Sequence, residues 1–131
     1  MIRLTLLLLF PFLIQCQENW KDKELPYFEN IYSQKVSEDT LQSTFFIAVK
    51  KSVVPHYHKN HSESIVVISG EGDMMLGEEK IKLTEGIQVS IPKNTIHSVI
   101  VKGKKPLRVI SVQSPKFDGS DRFLIDEPLI K

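Results

Sequence analysis

His56-Tyr57-His58-Lys59-Asn60-His61-Ser62-Glu63 sets two imidazoles two residues apart and adds a carboxylate five residues later. In an extended strand the side chains alternate between faces, so His56 and His58 point one way and Tyr57 the other. Glu63 opens the apolar run that ends at Ser69, and its parity puts it on the face of Ile65 and Val67. A hairpin between these two runs would bring the carboxylate beside the histidines. His97, after Ile91-Pro92-Lys93-Asn94-Thr95-Ile96, begins a further alternating run. Three imidazoles and one carboxylate suit a divalent transition metal.

Outward from this segment the chain reads as short strands between turns. Phe45 to Val49 forms a first clear strand, followed after Lys50-Lys51 by Val53-Val54-Pro55 and the histidine pair. Ile65 to Ile68 closes at Ser69-Gly70-Glu71-Gly72, and Met74 to Leu83 reads as a hairpin turning around Gly77 to Lys80. Gly86 to Pro92 alternates apolar with polar and stops at a proline, which cannot donate to a strand ladder. His97 to Val101, a turn at Gly103 to Pro106, and Leu107 to Val112 complete the pattern. No segment carries a sustained 3.6-residue stripe, so an all-β sandwich or barrel is expected. Pro26 to Tyr32 is read as a packing arm, and Ser37-Glu38-Asp39-Thr40 as a turn.

With these residues in place, a resemblance emerges. His56-x-His58-x4-Glu63-x6-Gly70 is similar to the first signature of the cupin superfamily, and Gly86-x5-Pro92-x-Asn94-x2-His97 resembles the second. The chain departs from the family pattern at Lys50 and Asn94, where glycine is usual, and at Val101, where asparagine is common. Asparagine tolerates the left-handed backbone region, so the turn at Asn94 is expected to survive. The resemblance implies a single jelly-roll β-barrel with a short N-terminal arm. Its interior would hold one divalent metal, iron, manganese, nickel or zinc, on His56, His58, Glu63 and His97. It also implies a small-molecule substrate or ligand and a homodimer.

No thiolate joins the ligand set, which argues against copper(I), and Met74 and Met75 are read as core filling. His61 fits no ligand position. It is expected exposed in the loop, with a place at the pocket mouth as an acid or base as the other reading. Gln88, Ser90 and Gln113 could orient a substrate, but parity alone leaves their faces open.

The 131 residues allow one domain, expected over 26–131 with its core at about 45–113. Lysine and arginine total 17 against 16 acids, so the charge is nearly balanced. The short basic run Lys102-Gly103-Lys104-Lys105 sits at a turn, and nucleic acid is not an expected partner. Met1-Ile2-Arg3 followed by Leu4 to Ile14 is an export pattern, its apolar stretch short of the roughly 20 residues of a spanning helix. Leu13-Ile14-Gln15-Cys16 resembles the lipobox of bacterial lipoproteins, Gln15 standing where a small residue is usual. Residues 1–16 are therefore expected as a signal peptide, Cys16 as the lipidation site and 17–25 as a polar tether of little structure. The domain would face the periplasm or the cell exterior from a membrane. Cys16 is the only cysteine, so no intramolecular disulfide contributes.

Two functions remain open, with a purely structural barrel contributing to a homodimer as a third reading. One is an enzyme of dioxygenase, isomerase or lyase type acting on a small polar metabolite, with no catalytic base assignable. The other is a non-catalytic module that binds a small ligand or the metal itself.

Overall fold

The computed structural model of the protein describes residues 18–125. Cys16 and the leader lie outside the described residues. Ten strands run in chain order: β1 (Ile31–Glu38), β2 (Ser43–Val49), β3 (Ser52–Tyr57), β4 (Ser62–Ser69), β5 (Glu71–Leu76), β6 (Glu79–Leu83), β7 (Gln88–Ile91), β8 (His97–Lys102), β9 (Leu107–Ser114) and β10 (Phe123–Leu124). They form two five-stranded antiparallel sheets, ordered β1-β2-β9-β4-β7 and β10-β3-β8-β5-β6. The result is the all-β architecture expected from the alternating runs, in the jelly-roll form that the resemblance implied. Among the described residues no helix is long and apolar enough to cross a membrane.

The alternation that marks these strands also builds the interior. On β4, Glu63, Ile65 and Val67 turn inward, and on β9 the inward set is Leu107, Val109, Ser111 and Gln113. Each inner face thus changes from apolar at one end of the barrel to polar at the other. Met74, Leu83, Val89, Ile91 and Val99 complete a continuous core. Gly70 closes β4 at φ +80°, where a Cβ would stand 2.4 Å from the Pro106 carbonyl oxygen, so the chain can cross β9 there only without a side chain.

Three local expectations are corrected. The arm after Pro26 contains an edge strand, β1, paired along β2, and the turn falls at Asp39 to Gln42, where Asp39 Oδ1 accepts the N–H groups of Leu41 and Gln42. An edge strand with one partly covered face carries a weak apolar signal. Second, β3 and β4 are not hairpin partners. β3 pairs with β8 and β10, whereas β4 pairs with β7 and β9 in the opposite sheet. Their loop crosses between the layers, so Glu63 reaches the histidines across the barrel. Third, the residues expected as an unstructured tether are docked. Trp20 stacks on Phe46 with ring centroids 4.9 Å apart, and Arg108 donates to the carbonyls of Trp20, Lys21 and Lys23.

Candidate metal centre

His56 and His97 are direct cross-strand neighbours on β3 and β8, and their ring centroids lie 4.1 Å apart. His58 follows immediately after β3. All three are buried, and each places a ring nitrogen within 4.8 Å of the others. Their Nδ1 atoms face backbone carbonyls: Val54 O for His56 at 2.8 Å, Thr95 O for His97 at 3.0 Å, and Asp121 O for His58. A carbonyl oxygen only accepts, so each Nδ1 carries its hydrogen and the neutral ring presents a lone pair at Nε2. Nε2 of His58 and of His97 are buried without a hydrogen-bond partner.

Glu63 completes this cluster from the other sheet. Its Oε2 lies 3.4 Å from His58 Nε2 and 3.6 Å from His97 Nε2, while Oε1 accepts the hydroxyl of Ser111. Burial pushes the Glu63 carboxyl up, but His58, His97 and Ser111 outweigh it and hold the group well below the usual carboxylate range. Burial likewise disfavours a charged His58, yet Glu63 and the Asp121 carbonyl raise it above its ordinary value. Burial, reinforced by His97, pushes His56 down to about 3, so it is neutral at working pH. Nε2 lone pairs aimed at a carboxylate repel unless a cation stands among them: a proton on the raised His58 when no metal is bound, or a metal ion shared by all the donors. Ligands about 2.1 Å from a common ion are roughly 3.0–3.4 Å apart, close to the separations found. The donor set therefore fits a divalent metal.

Several residues at the site carry no signal in the linear chain. His61, expected in an exposed loop, is only 2% exposed. Its Nδ1 is 2.7 Å from Asp121 Oδ2, and its ring lies 4.1 Å from that of His58. Asp121 also accepts the consecutive N–H groups of Lys59, Asn60 and His61 at 2.9, 2.8 and 3.0 Å. Burial raises the Asp121 carboxyl, but these donors bring it below its ordinary value. His58, His61 and Asp121 thus form a second group of ligand-type residues. Its oxygens and its Nδ1 atoms are already engaged in hydrogen bonds, so this group braces His58. In the sequence, Asp118-Gly119-Ser120-Asp121 reads as a surface turn, and its partners lie about sixty residues upstream.

The remaining candidates separate by face. Gln88 and Ser90 are exposed and hydrogen-bonded to each other, whereas Gln113 is buried inside the barrel. Tyr57 points outward onto Phe123, as alternation requires. Met74 fills the core, but Met75 on the opposite face is only half-buried. Asn94 adopts φ 59° and donates its N–H to His58 O, so the expected left-handed turn forms and supports the ligand loop. Beside the cluster lies a cavity of about 200 Å³, walled mainly by Ile, Val, Leu and Phe side chains.

Comparison with known proteins agrees with this architecture. Residues 44–113 match the family described as the Cupin domain. An uncharacterised protein of Aquifex aeolicus is 35% identical over 99 residues, covering 75% of this chain and 80% of that protein. Mannose-1-phosphate guanylyltransferase RfbM of Salmonella typhimurium is 34% identical over 71 residues; the match covers 54% of this chain but only 15% of RfbM. In fold, the chain superposes on the uridine complex of Streptomyces Pac13, a nucleoside dehydratase, with a TM-score of 0.67 at 15% identity, covering 85% of this chain and 91% of Pac13.

Proposed function

Since the chain belongs to the Cupin domain family, we propose that it is a metal-binding cupin in which His56, His58, Glu63 and His97 hold one divalent transition metal beside a pocket for a small polar metabolite. The carrying observation is that Nε2 of His58 and His97, with Nδ1 locked to backbone carbonyls, are buried beside Glu63 with no other partner. A bound metal would supply Lewis acidity toward a substrate carbonyl or carboxylate. The chain's own residues do the rest: the backbone carbonyls orient the imidazoles, Ser111 steadies Glu63, and the apolar walls limit water.

Metal analysis of the purified protein beside His58→Ala tests this. About one ion per chain is expected in wild type, with a loss in the variant. Equal metal content in the two would end the proposal. The non-catalytic reading has one observation in its favour. Outside the four ligand-type residues the polar wall consists of Ser33, Gln113 and Arg122, none of which is a base near neutrality. Turnover of small keto, hydroxy or phenolic acids by metal-loaded protein would favour the enzyme, and tight binding without turnover the module.

We also propose export and lipid anchoring at Cys16, supported by the short apolar leader and its lipobox-like end. Cys16→Ser should move the protein out of the membrane fraction, and an unchanged distribution would count against lipidation. A homodimer is supported by the exposed Val54, Ile100 and Leu124 on β3, β8 and β10. Light scattering that gives a monomer mass at high concentration would exclude it.

A further inference from the structure

Gln113 lines the cavity on β9, opposite Glu63 in register, and is only 7% exposed. A directional chain of hydrogen bonds fixes how its amide points. The Glu63 carboxylate can only accept, so Ser111 gives it its single hydroxyl proton. Ser111 Oγ can then only accept from Gln113, whose Nε2 stands 3.4 Å away. The amide NH₂ is therefore the end turned toward Ser111. The other end, Oε1, is fully buried and has no hydrogen-bond partner. A buried carbonyl left in this state is a standing demand for a donor.

Charge gives a second, independent indication. Arg122 lines the same cavity, is exposed, and has no ion-pair partner among the described residues. Three neutral imidazoles, the Glu63 carboxylate and a divalent ion would sum to a single positive charge; Arg122 adds one and the buried Asp121 carboxylate behind His58 and His61 takes one away, so one positive charge remains. Among the described residues no acid other than Glu63 lines the cavity. Apolar walls screen poorly, so that surplus favours an anion. At about 200 Å³ the cavity is below the roughly 300–1,000 Å³ of sites for drug-sized ligands, which points to one small metabolite.

We propose that the cavity takes a small hydroxy-carboxylate, its carboxylate facing Arg122, its hydroxyl donating to Gln113 Oε1, and its hydrocarbon part against the apolar walls. The charge argument rests on the metal-centre reading; the Gln113 contact does not.

Mandelate, phenylacetate, which lacks the hydroxyl, and mandelamide, which lacks the charge, separate the contributions. Each is titrated calorimetrically into metal-loaded and metal-free protein, with metal content measured on the same samples. On loaded wild type, mandelate is expected to bind at least about tenfold tighter than mandelamide and about threefold to tenfold tighter than phenylacetate. Gln113→Leu should abolish the preference for the hydroxyl without changing metal content, and Arg122→Gln should shrink the preference for the acid. Arg122 is exposed, so its replacement keeps the test decisive should Gln113→Leu fail to fold. The proposal is overturned if mandelate has no advantage, if none of the three binds, or if both variants keep the wild-type preferences. Wild type that takes up no metal overturns the charge argument together with the metal-centre reading. A hydroxyl preference on metal-free protein that Gln113→Leu removes would still support the Gln113 contact.

Discussion

Asp121→Asn probes whether the ligand loop is held in place from a distant part of the chain. Oδ2 accepts the N–H groups of Asn60 at 2.8 Å and His61 at 3.0 Å and lies 2.7 Å from His61 Nδ1, while Oδ1 accepts Lys59 N–H at 2.9 Å. Asparagine offers one oxygen. In its better orientation the amide keeps the Oδ2 contacts and turns its NH₂ against the Lys59 N–H, donor to donor. One charge-assisted bond is then lost outright, and three drop from about 2 to about 1 kcal/mol each. Bonds sharing one carboxylate are not additive, and asparagine escapes the penalty for burying a charge, so the net loss should be about 2–3 kcal/mol. For a domain of this size that is a fall in Tm of roughly 8–12 °C, measured by circular dichroism on metal-free protein. The Asp121 carbonyl also holds His58 Nδ1, so metal affinity should fall by about tenfold to a hundredfold in a competition titration with a chelating dye. A Tm within about 2 °C of wild type, together with affinity within about threefold, would refute the bracing role of Asp121.

Other perturbations test the frame around the site. Gly70→Ala should cost about 2–3 kcal/mol by urea denaturation, because its Cβ meets the Pro106 carbonyl; Gly86→Ala, at φ +87° with open space around it, should cost only about 1 kcal/mol, and equal losses would contradict the packing argument. At Asn94, φ 59°, Gly should be neutral or slightly stabilising, whereas Val should cost about 1–2 kcal/mol and loosen the His58 loop. Arg108→Ala removes three hydrogen bonds to the carbonyls of Trp20, Lys21 and Lys23. Trypsin should then cut after Lys21 and Lys23 several-fold faster while the far-ultraviolet sheet signal stays the same, and an unchanged cleavage rate would show that Trp20 alone anchors the segment.

Legibility differed from element to element for physical reasons. β4, β7 and β9 bury one face against the core, so alternation marks them in the linear chain; β2 buries Phe46 and Ala48 on one face and lines the cavity with Phe45, Ile47 and Val49 on the other, so a continuous apolar run marks it instead. β1 and β10 lie at sheet edges and bury little, so their residues resemble arm and loop. Asn94 was readable because the left-handed turn constrains the residue type at that position. Gln113 was only half readable: alternation limits it to one of two faces but does not say which face is inside. His61 read as an exposed loop residue because its burial depends on Asp121, and nothing near His61 in the chain announces that partner.

The all-β character and the four ligand-type residues were legible in the linear chain because strand parity and donor chemistry are local properties, and the two signatures were legible through resemblance to a known family. The folded chain alone places β3 and β4 in opposite sheets, brings Glu63 to the histidines across the barrel, and sets Asp121 against His58 and His61. It also leaves one oxygen of Gln113 buried and unpartnered. Those outcomes depend on which strands become neighbours and on hydrogen bonds between residues about fifty to sixty positions apart, for which periodicity along the chain has no record.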